Sequence, residues 1–269
     1  MTRARRSARL VLVLPLLGGC DLMFGLSEPG TDAGTNDPRD GGGDGDGSLD
    51  GDGPLDGGPP PTCFVESFDT TPLAATWDLY ADAECTSSIG VVPCSASQAS
   101  GRLAIYVNTL AGYAGASRPA ADFTGAVVEV EAVTAGAPQP GTNGYLQIAL
   151  GATTGIRYQI EVDADVDAPL LTGLHVEGAG RVEAFSIPFD PQVHRHWQLA
   201  QVVDNGLPAI AFATRASGSE PWTRRGIAPV SGSLSSVIAE VGAGRYAQRT
   251  NGGAQTYAFD NFSLCTPSP

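Results

Sequence analysis

Between residues 188 and 203 the sequence alternates. A Pro188-Phe189-Asp190-Pro191 turn runs into His194-Arg195-His196. From there Trp197, Leu199, Gln201 and Val203 fall on one face of an extended chain, and Gln198, Ala200 and Val202 fall on the other. Extended segments precede and follow it, so the stretch reads as a central strand. The same period recurs at 63–68, 102–108, 123–133, 145–150, 156–162, 171–176, 182–187, 209–214, 235–241 and 257–264. In 156–162, Ile156, Tyr158, Ile160 and Val162 face away from Arg157, Gln159 and Glu161; in 127–133, Glu129 and Glu131 alternate with Val128, Val130 and Ala132. No stretch keeps a helical period. Short strands between turn signals predict an all-β, two-sheet antiparallel jelly-roll sandwich.

The chain's start reads as an export signal. Arg3, Arg5, Arg6 and Arg9 precede a short apolar run at 10–17, then Gly18-Gly19-Cys20. That run is well short of the ~20 residues of a spanning helix. Leu17-Gly18-Gly19-Cys20 resembles the bacterial lipobox. The resemblance implies that residues 1–19 are removed and that Cys20 is acylated, which would hold the chain to a bilayer. The expected location is the cell envelope, with the outer membrane favoured over the inner.

Residues 20–62 read as a solvated tether. Gly41-Gly42-Gly43-Asp44-Gly45-Asp46-Gly47 and the Gly/Asp repeats after it have little to bury, and their aspartates repel one another. A calcium loop starting at Asp44 would need a carboxylate or amide at its fifth position and Gly at its sixth. Ser48 and Leu49 stand there, so only weak, nonspecific calcium association is left and no cofactor is expected.

Residues 63–269 form the expected folded domain. With Cys20 assigned to the lipid, Cys63, Cys85, Cys94 and Cys265 remain, and four cysteines allow three pairings. Export favours disulfides over free thiols. Cys85 and Cys94 bracket a short loop and are expected to bond. Cys63 and Cys265 close the two ends of the domain, where a jelly roll sets its terminal strands side by side. The net charge of −14 and the absence of any Lys exclude nucleic acid as a partner and a Lys-containing phosphate loop. His194 and His196 share a strand face, but no third ligand stands at zinc spacing, so they read as edge residues beside a core Trp197.

Three ordered landmarks carry a resemblance across 63–265. They are Phe64-Val65-Glu66-Ser67-Phe68-Asp69 with Trp77, then Phe189-Asp190-Pro191 through Trp197-Gln198-Leu199 with Glu220-Pro221-Trp222-Thr223, and lastly Phe259-Asp260-Asn261-Phe262-Ser263-Leu264. Together they are similar to the concanavalin A-like lectin/glucanase superfamily, in particular its laminin G-like bacterial members. The resemblance implies a jelly roll whose concave face often meets carbohydrate. The glucanase branch carries Glu-x-Asp-x-x-Glu or a version one residue longer. Here Glu161-Val162-Asp163 is followed by Val166 or Asp167 at the closing position. The alginate-lyase pattern Gln-Ile-His meets Gln147-Ile148-Ala149. On these departures the domain is expected not to be an enzyme, and Glu161 is expected on a solvated polar face.

Two functions follow as expectations. The first is a surface-tethered module that binds glycan, with Trp222, Tyr113, Tyr145 and Tyr246 as the candidate rings. The second is a structural or adhesive protein that binds an envelope protein. Aromatic rings exposed on the concave sheet would favour the first, and a polar face without rings the second.

Overall fold

Two antiparallel sheets account for nearly all of the folded chain. In the computed structural model, the described residues are 60–268, apart from 70–72, 74–76, 87–89, 135–137, 152–153, 165–167 and 247–251. The export segment, Cys20, the tether through residue 59, and Asp167 lie outside them. The strands are β1 (Thr62–Glu66), β2 (Asp78–Ala81), β3 (Ser95–Ala99), β4 (Arg102–Val107), β5 (Gly112–Ala121), β6 (Val127–Thr134), β7 (Thr142–Leu150) and β8 (Ile156–Asp163). They continue as β9 (Leu170–Glu177), β10 (Gly180–Pro188), β11 (His196–Asp204), β12 (Leu207–Arg215), β13 (Thr223–Pro229), β14 (Val237–Arg245) and β15 (Gln255–Thr266). One four-residue helix, α1 (Ala83–Thr86), interrupts them. The expected all-β sandwich is what forms.

The first sheet runs β13-β12-β11-β6-β15-β4-β3, with β1 also paired to β15; the second runs β10-β9-β8-β7-β14-β5-β2. The stretch that alternates most clearly, β11, is an interior strand of the first sheet. Trp197 and Leu199 point into the core and are fully buried. The indole Nε1 donates to the His194 carbonyl at 2.8 Å, so the ring's one polar atom is satisfied. Phe259 meets Trp197 edge-on, with ring centroids 6.0 Å apart. Across the sandwich, Leu146, Ile148, Tyr158, Ile160 and Val162 bury the inner face of β7 and β8.

Pairing of β1 with β15 sets Cys63 opposite Cys265, and the two form the expected disulfide. Cys85 and Cys94 differ from expectation. They are buried neighbours, but the structure holds them as two free thiols. The Cys94 amide donates to the Cys85 carbonyl at 3.1 Å, while the Cys85 thiol turns to the Asp82 carbonyl at 3.5 Å. Burial, with a hydrogen bond from its neighbour, pushes the Cys85 thiol pKa up to about 12.

Strand β5 is the main element that alternation does not reveal. Apart from Tyr113, its sequence, Gly-Tyr-Ala-Gly-Ala-Ser-Arg-Pro-Ala-Ala, has low β propensity. It is a strand because β14 pairs along its length on one side and β2 pairs on the other.

Candidate glycan cleft

The outer face of the second sheet is built by register. Strand β7 lies between β14 and β8. Gln147 stands opposite Glu240 on one side and Gln159 on the other. One step along, Tyr145 stands between Gly242 and Glu161; one further, Asn143 stands between Gly244 and Asp163. Side chains alternate, so all of these point away from the core lined by Leu146 and Ile160.

Glycine makes room for the rings on this face. A Cβ at Gly244 would lie 2.0 Å from Cδ1 of Tyr113, and one at Gly242 would lie 2.3 Å from the Tyr145 hydroxyl oxygen. The tyrosines therefore lie over bare backbone of β14. Tyr145 and Tyr80 share a hydrogen bond between hydroxyls at 2.6 Å. Tyr113 packs against Tyr145 and edge-on against Tyr246, each with centroids 6.1 Å apart. Burial holds the Tyr113 and Tyr145 phenols well above their ordinary range and moves Tyr246 up to about 12. These phenols are neutral hydrogen-bonding groups at any ordinary pH. Together with Asn143, Gln147, Arg157 and Gln159, the rings Tyr113, Tyr145 and Tyr246 line a cleft of about 180 Å³.

Besides Asp163, two carboxylates of this face, Glu161 and Glu240, bond to residues that line the cleft. Glu161 is fully buried. Its Oε1 accepts from Arg181 Nη2 at 2.6 Å; its Oε2 accepts from Asn143 Nδ2 at 2.8 Å and from the Tyr246 hydroxyl at 3.3 Å. Gln159 Nε2 donates to the same oxygen. Burial raises the Glu161 pKa, and Arg181 and Asn143 oppose the rise without cancelling it. Glu240 is partly buried and accepts a hydrogen bond from Gln147. Burial raises its pKa too, opposed by the charge of Arg157.

The expectation of a solvated Glu161 is thus corrected. Strand β8 is interior, between β7 and β9, and the β9–β10 hairpin brings Arg181 onto Glu161. Three of the four candidate rings, Tyr113, Tyr145 and Tyr246, gather at the cleft. Trp222 does not. It immediately precedes β13 in the first sheet, with the Arg215 guanidinium 4.1 Å from its ring centroid. The reading from sequence missed Asn143, Gln147, Arg157, Gln159 and Glu240 as site residues. For all but Glu240 the signal was present as polar alternation at 143/145/147 and 157/159/161.

No family model and no curated protein matches the chain. Solved structures do, and they share this chain's two-sheet jelly-roll fold. A β-1,3-1,4-glucanase (lichenase) from a mouse hindgut metagenome aligns with a TM-score of 0.51 at 14% identity, over 77% of this chain and 100% of that one. A non-specific endo-β-1,3(4)-glucanase of glycoside hydrolase family 16 aligns with a TM-score of 0.50 at 12% identity, over 77% and 95%. The CBM2 module of the evolved Dit of Lactobacillus casei BL23 phage J-1 aligns with a TM-score of 0.50 at 13% identity, over 78% and 99%. The expectation that the domain is no enzyme is corrected by these matches. Two of the three are glucanases that share the fold over about three quarters of this chain, so a partial match to one motif is no ground for excluding hydrolysis.

Proposed function

We propose that the cleft on the second sheet binds a carbohydrate chain. The carrying observation is the ring-and-amide lining: Tyr113 and Tyr246 offer apolar ring surface, while Asn143, Gln147 and Gln159, whose nitrogens donate to Glu161 and Glu240, bring amide oxygens that can accept from sugar hydroxyls. That rings stand on this face favours glycan over the alternative of an adhesive surface for an envelope protein. A glycan array probed with the purified chain tests it. Binding lost on Tyr113→Ala and Tyr246→Ala supports the reading, and a blank array removes it.

Hydrolysis of the bound glycan is the second reading. Glu161 and Glu240, two carboxyls that the register of β8, β7 and β14 brings to one sheet face, favour it, because a glycosidase works with a pair of carboxyls. Release of reducing ends from laminarin or lichenan, abolished in Glu161→Gln or Glu240→Gln, is the result that supports it. We further propose that acylated Cys20 ties the domain to the envelope, at the outer membrane. An unmodified Cys20 in the mature chain, seen by mass spectrometry, would refute the anchor.

A further inference from the structure

We infer that the glycan taken by this cleft is anionic, and that Arg157 receives its carboxylate or sulfate. This rests on the glycan-binding reading of the same cleft. Among the described residues lining the cleft, Arg157 is the one cationic side chain, and it is exposed. Its neighbours across the register are Ala149 on β7 and Val176 on β9, neither of which can pair with a guanidinium. Among the described residues its guanidinium has neither an ion pair nor a hydrogen bond, although its backbone pairs in the ladder. Three other arginines among the described residues hold an ion pair: Arg181 with Glu161, Arg195 with Glu131 and Arg215 with Glu129.

The carboxylates of the face do not supply what Arg157 lacks. Glu161 is sealed under Arg181, Asn143, Gln159 and Tyr246. Glu240 is engaged by Gln147 and senses Arg157 only through its field. Arg157 lines the cleft together with the rings Tyr113, Tyr145 and Tyr246. A ligand entering the cleft therefore meets neutral phenols, amides and, among the described residues, one exposed cation whose side chain bonds to no carboxylate. Neutral hydroxyls leave the five guanidinium donors without a charged acceptor; a uronate carboxylate or a sulfate ester fits their fork.

The test is titration calorimetry on the purified full chain at ~0.15 M salt, where the Debye length is about 8 Å and the protein's net charge is screened. The probes are an oligoglucuronate, a sulfated galactan oligosaccharide and a neutral β-glucan oligosaccharide of equal length. At least one acidic probe should bind about tenfold tighter than the neutral one, the worth of one charge-assisted hydrogen bond in a partly solvated site. In Arg157→Gln that ratio should collapse to near one, and Arg157→Lys should restore part of it. Uronate preferred over sulfate, or the reverse, names which anion the fork accepts. Equal binding of all three probes, or a ratio unchanged in Arg157→Gln, overturns this inference and leaves glycan binding standing. No binding of any probe, by a chain that still melts cooperatively, overturns both.

Discussion

Nη2 of Arg181 lies 2.6 Å from Oε1 of Glu161, joining a half-exposed guanidinium on β10 to a carboxylate that has no solvent exposure on β8. The pair fixes the outer edge of the cleft floor, because Tyr246 and Asn143 bond to the same carboxylate.

Arg181→Gln should strand that carboxylate. Removing one partner of a fully buried pair costs about 3–5 kcal/mol, and with Arg181 partly in solvent the expected loss is about 1–3 kcal/mol at pH 7. Arg181 opposes the rise in the Glu161 pKa, so its removal moves that pKa further up. The destabilisation should then shrink toward pH 4, where the carboxyl takes a proton. Urea unfolding at both pH values measures it, and a deficit equal at the two would contradict the account.

Glu240 leads to a pH prediction of its own. Its folded pKa is raised above the unfolded value, so the folded state holds the proton more tightly. Its contribution favours folding below the unfolded pKa and is lost as pH rises through the folded one. Glu240→Gln keeps an acceptor for Gln147 and removes the charge. The variant should gain stability at neutral pH relative to the parent and lose the gain in acid. Melting temperatures from pH 4 to pH 8 would show the two curves converging at the acid end.

The sequence was readable where strands carry β-branched or aromatic residues at every second position, as in β8 and β11. It was unreadable where pairing alone makes the strand, as in β5, whose Gly, Ala and Ser residues state no preference. The site follows the same division. Alternation assigned Arg157, Gln159 and Glu161 to one face, correctly. It could not say that this face is covered at Glu161 and open at Arg157, because the cover comes from Arg181, on a hairpin beyond β8. Trp222 misled for a related reason. A large ring is a fair candidate platform anywhere on a strand, and only the sheet order puts it on the other sheet.

The glycines of β14 should matter through the rings they seat. Gly244→Ala puts a methyl 2.0 Å from Cδ1 of Tyr113, so the ring must leave its place. Overpacking of that kind costs about 1–3 kcal/mol. Glycan affinity should fall with it, since Tyr113 lines the cleft. Gly218→Ala is the control: nothing lies within 4 Å of its added Cβ, and its stability should stay within about 0.5 kcal/mol of the parent. Equal effects from the two variants would show that the ring seat carries no weight.

The two cysteine pairs should behave differently. Cys63–Cys265 joins positions 202 residues apart, so it restricts the unfolded chain over almost the whole domain. Its loss in Cys63→Ser/Cys265→Ser should cost up to about 5 kcal/mol in the chain-entropy model. It also frees β1, which hangs on the sheet through β15 alone. Cys85 and Cys94 close a far shorter segment and already pack as thiols, with the Cys94 amide bonded to the Cys85 carbonyl. Cys85→Ala/Cys94→Ala should therefore lower the melting temperature mainly through lost packing, and by less. Adding a reductant should lower the parent's melting temperature and leave that of Cys63→Ser/Cys265→Ser unchanged. A further fall in the double variant on reduction would mean that Cys85 and Cys94 are bonded in solution, and peptide mapping without reductant would then show the linked pair.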